Sequence, residues 1–566
     1  MKLKKETELE VKLVSAYDSR YMYEDRVNLK EYPYGFVSEA LKDEILHWDD
    51  PIPIAIFSDT GTGKNTFIEE VIIPHAIRYG KTILLLSNRV ALGRQTKRRL
   101  ARLYGVEYML EDYTDQGLDR FTEIENLTMI SYQQFAYWYN SNAYKLAELI
   151  KKRFDYVICD EAHFFTSDSP FNAFTDIILN YIISHFTDSV CIYMTATPDE
   201  IFPILKMKQR KDRCSYMNRS GYQFYPYDWK VYRFGHDYSH LNVFSFETME
   251  DLAMLINGSD EKWAVFVESI KDGETLCSMV NDAVLVTADS KKPTNPTYNT
   301  FKMITDEEWF EDRVLVSTSV LENGINIKDR RLKKVAIFSN DKVRFIQMLG
   351  RIRRIDGCLL EVYIPDVTEQ EVRKKYNAIS RINTAYRNYE ASRTDFYNRY
   401  VHEDVLQTNV KDQVTILNTG EIHLNELSRI KIGLLDLKFW EDMKTQYEHG
   451  EQFPVLKEKF KWIEKTFAET CQRGLHKTAE SRQRLVDFLE DYVDKEIHHE
   501  QQREFCEDIS DLFRAAYGRR KKDTNDQQRY GLKIIRERLA EHNLPYVISN
   551  KNREYWEVNK EEPSDE

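Results

Sequence analysis

Residues 54–65 read Ile54-Ala55-Ile56-Phe57-Ser58-Asp59-Thr60-Gly61-Thr62-Gly63-Lys64-Asn65: four apolar residues, a turn with two glycines, a lysine, and amphipathic sequence behind it. Strand, Gly-rich turn, lysine and helix make a phosphate cradle. Glycine lets backbone N–H groups approach the oxygens, the helix N-terminus adds positive potential, and Lys64 reaches the outer phosphates. The strict pattern G-x-x-x-x-G-K-[ST] fails at both ends, at Ser58 and at Asn65. A hydroxyl usually stands in the place of Asn65 and ligates Mg2+. The Asn carbonyl is also a hard oxygen ligand, and Thr66 would serve if the helix began one residue later; both readings stand. The expected cradle is therefore Ser58, Asp59, Thr60, Gly61, Thr62, Gly63, Lys64, Asn65 and Thr66.

Outward from this turn the chain alternates short apolar runs with helix-length amphipathic stretches. Strands are expected at 54–57, 82–86, 128–131, 156–159 and 190–194, which predicts parallel βαβ units. After a polar stretch near 218–240 the pattern restarts, with strands expected at 264–267, 283–286, 314–317, 335–338 and 360–364. From about residue 368 long charged helical segments take over, with a small hairpin expected at 414–424 around Thr419-Gly420. The end, 530–558, reads as helix, turn, strand, turn, strand, either a winged-helix-like piece or a general α+β cap. The fold class is α/β: two tandem parallel-sheet domains (46–225 and 226–367), an N-terminal extension (1–45) and a mainly helical accessory region (368–566).

Composition narrows the function classes. The 566 residues are 42% hydrophobic and 31% charged, with 35 Tyr and 29 Phe, so the chain is globular rather than disordered. No run approaches the ~18 uncharged apolar residues of a membrane span, and no apolar run follows the basic residues of the N-terminus as in a signal peptide. Seven scattered cysteines without close pairs point to free thiols in a reducing cytoplasm. The net charge of −13 requires that any nucleic acid be met by a local channel rather than a global field. Irregular spacing of Cys471, His476, His498, His499 and Cys506 argues against a metal site there, and no nuclease constellation is present.

A second chemical element is Tyr156-Val157-Ile158-Cys159-Asp160-Glu161-Ala162-His163, an apolar strand ending in two carboxylates. Beside a phosphate loop, Asp160 would hold the Mg2+ shell and Glu161 would orient or deprotonate the attacking water.

With these two elements the chain resembles a superfamily 2 helicase or translocase of the DEAH type. Ser58–Asn65 is similar to that family's motif I, Ser87-Asn88-Arg89-Val90-Ala91-Leu92 with Gln95 to motif Ia, Ser131-Tyr132-Gln133 to motif Ib and Asp160–His163 to motif II. Thr195-Ala196-Thr197 resembles motif III, and Val265-Phe266-Val267 motif IV. Val316-Ser317-Thr318-Ser319-Val320-Leu321-Glu322-Asn323-Gly324-Ile325-Asn326-Ile327 resembles motif V, and Gln347-Met348-Leu349-Gly350-Arg351-Ile352-Arg353-Arg354 fits motif VI, Q-x-x-G-R-x-x-R. The resemblance spans about residues 50–356. No Gln precedes Lys64, so the adenine-reading Gln of the DEAD-box branch is missing.

The resemblance implies RecA-like domains, ATP and Mg2+ as cofactors, and a nucleic-acid-stimulated ATPase. Catalytic residues would be Lys64, Glu161, Gln347, Arg351 and Arg354, with Gly324 and Asn326 added to the nucleotide site and Asp160 with Asn65 to the metal. Arg351 and Arg354, three apart, would share a helix face and act as arginine fingers, a role worth 10³–10⁵ in rate. His163, Thr195 and Thr197 would couple nucleotide state to the strand. Arg89, Ser131, Ser269 and Thr318 would contact nucleic-acid phosphates, which positions a strand without reading its sequence, and Tyr132 would stack on a base, whereas Phe135 and Trp138 read as core. The expected partner is single-stranded or duplex nucleic acid, DNA favoured over RNA, with a protein partner at the C-terminal region and no membrane. The rival reading is a nucleotide switch or scaffold whose hydrolysis is impaired by Asn65.

Overall fold

The central strands form because they are apolar on both faces. Ile54–Phe57, Tyr156–Cys159 and Val190–Thr195 are buried throughout, as suits parallel strands covered by helices on each side. In the computed structural model, residues 27–88, 97, 99–102, 104–106, 122–220, 228–318, 320, 326–353, 358–406, 409–467, 475–517, 529–542, 544–551 and 554–560 are described.

The first sheet has eight strands in the order Val27–Tyr32, Trp229–Phe234, Ile54–Phe57, Val190–Thr195, Tyr156–Cys159, Ile83–Ser87, Leu127–Ser131 and Glu123–Ile124. All neighbours are parallel except the last pair. Alternate residues feed two separate cores. Ala55, Phe57, Val157 and Cys159 face one helical layer, and Ile54, Ile56, Tyr156 and Ile158 the other. The second sheet, entirely parallel, runs Ala283–Val286, Val314–Ser317, Lys262–Phe266, Leu332–Ile337, Leu360–Pro365 and Leu241–Phe246. These are two tandem parallel-sheet α/β units.

Besides the short strands Glu123–Ile124 and Glu496–His498, three longer strands lie outside those expected from the sequence. Val27–Tyr32 and Trp229–Phe234 pair with each other and extend the first sheet, so that sheet reaches beyond residue 225 and takes in part of 1–45. Leu241–Phe246 edges the second sheet. Each carries polar or charged residues that hide the pattern: Lys230, inside the apolar run of its strand, donates from Nζ to the His47 carbonyl at 2.6 Å.

The C-terminal region is packed on both sheets. Helix Glu369–Ala391 opens with a capping box of Thr368 and Glu371. The hairpin Val414–Ile416 with Ile422–Leu424 turns at Gly420, φ +79°. Leu427 and Ile430 then enter a core of the first unit, whereas Leu456, Phe460, Trp462 and Ile463 enter the core of the second. Beyond them, helices Leu475–Asp491, Gln502–Tyr517 and Leu532–Glu541 pack on a three-stranded antiparallel sheet. Its order is Glu496–His498, Tyr555–Lys560, Tyr546–Lys551. These elements form a separate α+β cap with its own apolar core. No described helix is long and apolar enough to cross a membrane.

The joint between the first unit and the C-terminal region turns on Asn425, which is fully buried. Its side chain accepts from Leu427 and Ser428 N–H, capping helix Glu426–Ile430, and donates to the Asn172 carbonyl at 2.6 Å and Thr175 Oγ1 at 2.8 Å. Asn425→Ala is expected to lower stability by about 2–4 kcal/mol, the sum of a lost cap and stranded buried partners. A shift of that size in the denaturant midpoint of the transition that unfolds the first unit would support this. A shift under ~0.5 kcal/mol would contradict it.

Candidate active site

The loop Ser58–Gly63 leaves the carboxyl end of the central strand Ile54–Phe57, and helix Lys64–Phe67 begins directly after it. Gly61 and Gly63 adopt φ of +88° and +79°, the left-handed region where a side chain is strained. Lys64 is buried, and its ammonium donates to the carbonyls of Ser58 at 2.9 Å and Asp59 at 2.8 Å. Thr62 Oγ1 donates to the Asp59 carbonyl at 2.7 Å. Burial draws the Lys64 pKa below its usual value. Glu161, Asp160 and Asp59 oppose that shift, and Arg353 adds to it.

The acid pair sits at the end of the strand Tyr156–Cys159. Glu161 holds φ of +52°, a conformation costing about 1–3 kcal/mol in a non-glycine residue and found mainly at functional sites. Its N–H donates to Asp160 Oδ1 at 3.0 Å. Backbone bonds tie the loops together: Ser58 N–H to the Thr195 carbonyl at 3.2 Å, and Ala162 N–H to the Met194 carbonyl at 2.8 Å. His163 Nδ1 lies 3.5 Å from Glu161 Oε2 and 3.2 Å from Thr195 Oγ1, which accepts from Thr197 N–H at 3.0 Å. Glu161, His163, Thr195 and Thr197 thus form one chain of contacts running from the phosphate loop outward.

The second unit closes the other side. Asp341 caps helix Lys342–Leu349, accepting from Arg344 N–H. Where this helix ends, Gly350 meets the phosphate loop: a Cβ at 350 would fall 1.7 Å from Thr60 Oγ1. A Cβ on Gly61 would fall 2.4 Å from an amine of the Arg353 guanidinium. The arginine over the loop is therefore Arg353, which the sequence reading did not select.

Two expectations need correcting. Arg351 does not stand on the helix, which ends at Leu349. Its N–H and carbonyl bond Met348 and Ile327, and Arg353 N–H bonds the Ile327 carbonyl, so the turn is pinned to the segment at Ile327. Arg351 is buried and donates to Gln347 Oε1 at 2.8 Å. Tyr132 is the second correction: it is fully buried, stacked on Phe164 at 4.4 Å, and donates to the Asp160 carbonyl at 3.0 Å. It supports the acid pair and is not open to a base; Phe135 and Trp138 lie in the same core.

Of the remaining candidates, Ser131 caps helix Tyr132–Ser141 by accepting from Gln134 N–H, and Ser269 caps Ile270–Met279. Thr318 follows the strand Val314–Ser317, half-buried. All three stand at carboxyl ends of parallel strands. Asn326 donates to Glu308 Oε1 at 3.2 Å. Asn65 and Thr66 are half-exposed in the first helical turn. Arg89, Gly324 and Arg354 lie outside the described residues.

The sequence reading also passed over the segment that joins the two sheets. His236 Nδ1 bonds Asp59 of the loop, and Tyr238 stacks beside His236. The bond to Asp59 raises the His236 pKa, burial opposing it. On the other flank, Val37 N–H donates to the Thr62 carbonyl at 3.0 Å, and the exposed Phe36 ring lies against Gly63. Neither side chain belongs to a spaced motif; only three-dimensional proximity reveals them.

A nucleotide fits this cradle. Ser58 Oγ, Thr197 Oγ1 and Gln347 Nε2 are buried without a partner among the described residues. Lys64 meanwhile occupies itself with loop carbonyls that a phosphate would replace.

Residues 36–200 match the family model described as type III restriction enzyme, res subunit. No curated protein matches the sequence. Among solved structures, the Escherichia coli DExH-box NTPase HrpB is 16% identical, TM-score 0.38, over 59% of this chain and 42% of that one. The DUF1998 helicase MrfA bound to DNA and AMPPNP is 12% identical, TM-score 0.42, over 72% and 57%. Saccharomyces cerevisiae Dbp5 bound to RNA and ADP BeF3 is 13% identical, TM-score 0.36, over 62% and 86%. The chain thus spans about half the length of the first two. The phosphate loop and the Asp-Glu-Ala-His strand end both lie inside residues 36–200, the part of the chain that is similar to the type III restriction res-subunit family.

Proposed function

We propose that the chain is an ATP- and Mg2+-dependent nucleic-acid motor, a helicase or translocase that hydrolyses ATP between its two RecA-like units. The observation that carries this reading is the approach of Gly350 and Arg353 from the second unit to Thr60 and Gly61 of the phosphate loop. One unit supplies the cradle and the other the cation, so hydrolysis depends on closure, and closure can be turned into movement along a strand.

Each residue then has a task. Loop amides and Lys64 hold the outer phosphates, Lys64 exchanging its two carbonyl partners for them. Asp160 with Asn65 or Thr66 would hold Mg2+, which when bound neutralises charge on the phosphates. Glu161, fixed by its left-handed backbone, takes or steers the proton of the attacking water. Arg353 faces the loop, and with Arg351, Arg354 and Gln347 it supplies the arginine function, worth 10³–10⁵ in rate. His163, Thr195 and Thr197 relay the state of Glu161 toward the edge where Arg89, Ser131, Ser269 and Thr318 would hold phosphates of the strand. Those contacts carry no sequence preference. DNA is the favoured track over RNA, and the chain would act in the cytoplasm, with the C-terminal region open to a protein partner.

The test is steady-state ATP hydrolysis with single-stranded DNA, single-stranded RNA and duplex. Stimulation of about tenfold or more by a DNA strand is expected, with loss of about 10³-fold or more in Glu161→Gln. Tight ATP binding without stimulated turnover on any polymer would overturn the motor and leave the nucleotide switch. Asn65→Thr separates the two further: a large gain in turnover favours the switch, and little change or a loss favours an adapted enzyme. Gly350→Ala would force the units apart at Thr60. It is expected to lower kcat by about 10²-fold, the scale of a 1 Å misplacement, with ATP affinity held within about threefold. An unchanged kcat would show that the Gly350–Thr60 contact is not part of the hydrolytic state.

A further inference from the structure

Away from the nucleotide site, one buried lysine joins three parts of the chain. Lys431 Nζ lies 2.6 Å from Glu200 Oε1, 2.7 Å from Asp341 Oδ2 and 2.9 Å from Asp436 Oδ1, and its side chain is 5% exposed. Glu200 belongs to the first unit, three residues past Thr197 in helix Pro198–Ser220. Asp341 belongs to the second unit, where its other oxygen caps the helix that carries Gln347 and leads to Gly350. Lys431 and Asp436 are in the C-terminal region, at the two ends of a π-helical turn. The wider π turn brings positions five apart onto one side.

Charge gives the arrangement its meaning. The three carboxylates present oxygens within 4.8 Å of one another. Without a cation between them, Glu200 and Asp341 would repel, and with them the two RecA-like units. Lys431 makes that junction attractive, and the three acids in turn lift its pKa well above the usual value against the downward pull of burial. The charged interface continues on each side: Lys342 pairs with Asp199, and the Arg344 guanidinium lies 5.2 Å from the Phe171 ring centre. Among the described residues every direct partner of Lys431 is an acid, and two of the three sit on the helices that follow the Thr195–Thr197 turn and precede the Gly350–Arg353 turn.

We infer that Lys431 is a positioning residue: through it the C-terminal region clasps the two RecA-like units in the closed arrangement that sets Gly350 and Arg353 against the phosphate loop. Lys431 touches no substrate; it acts through Glu200 and Asp341. Its effect on hydrolysis rests on the ATPase reading above, whereas its effect on closure does not.

The experiment uses the intact chain. Small-angle scattering reads closure without any turnover, and kcat with fluorescent-ATP affinity reads its consequence. Lys431→Met is expected to raise the radius of gyration by about 5% or more from the ~24 Å of a compact chain this long. It should also lower stimulated kcat by about tenfold, with ATP affinity within about threefold. Lys431→Arg should keep both close to wild type. Adding Asp341→Asn, which still caps the helix but removes the facing charge, should return Lys431→Met at least about threefold toward wild-type kcat and shrink it again. Wild-type scattering and kcat in Lys431→Met, or a double variant no better than the single, would overturn the inference. If Lys431→Met does not fold, Glu200→Ala cuts only the limb to the first unit and should still expand the particle; unchanged scattering would overturn the clasp. A wild-type chain without stimulated ATPase defeats the motor reading alone, because the scattering arm still decides the clasp.

Discussion

Parallel strands all finish on the same side of their sheet, and in this protein that constraint decides where chemistry can be. Ser58 and Asp160 follow, and Thr195 ends, neighbouring strands of the first sheet, so a Gly-rich loop, an acid pair and a buried hydroxyl meet without any long-range design of loops. The second sheet offers its own strand ends and the turn after Leu349. Neither edge is sufficient. The loop carries the amides and Lys64, the facing turn carries the guanidinium of Arg353, and the two are within contact only because the units face each other.

That division also sets Glu200 of one unit beside Asp341 of the other. Lys342 with Asp199 is a partly exposed pair, and such pairs contribute little on their own. Lys431 differs, being enclosed and bonded on three sides, so that losing it leaves three partly buried carboxylates facing one another. The same C-terminal region is fixed to the first unit by Asn425 and to the second by Leu456, Phe460 and Trp462. It spans the cleft as a brace, and an effector acting on it would act on closure.

Much of this was legible in the sequence, and for identifiable reasons. Buried parallel strands are continuous apolar runs, so Ile54–Phe57, Tyr156–Cys159 and Val314–Ser317 announce themselves. Lys64 and the Asp160-Glu161 pair are local in sequence, and their spacing alone points to phosphate and metal chemistry. Val27–Tyr32, Trp229–Phe234 and Leu241–Phe246 were not legible, because edge position and interspersed polar residues break the pattern. Motif spacing selected Arg351 and Arg354, yet helix termination at Leu349 rotates Arg351 into a bond with Gln347 and brings Arg353 to the loop. Tyr132 looked available for stacking because a sequence does not say which side of a helix start faces the core. Lys431 gave no signal at all, since its partners in the two units lie far away along the chain.

In the proposed mechanism one nucleotide is shared by both units. The direct measurement is a structure of the chain with a non-hydrolysable ATP analogue and a DNA strand. It should show Lys64 moved from the Ser58 and Asp59 carbonyls to the phosphates, Gly350 still against Thr60, and an arginine of the turn 351–354 on the outermost phosphate. An analogue bound with Lys64 still on those two carbonyls, or with the second unit swung away while the strand is held, would contradict it.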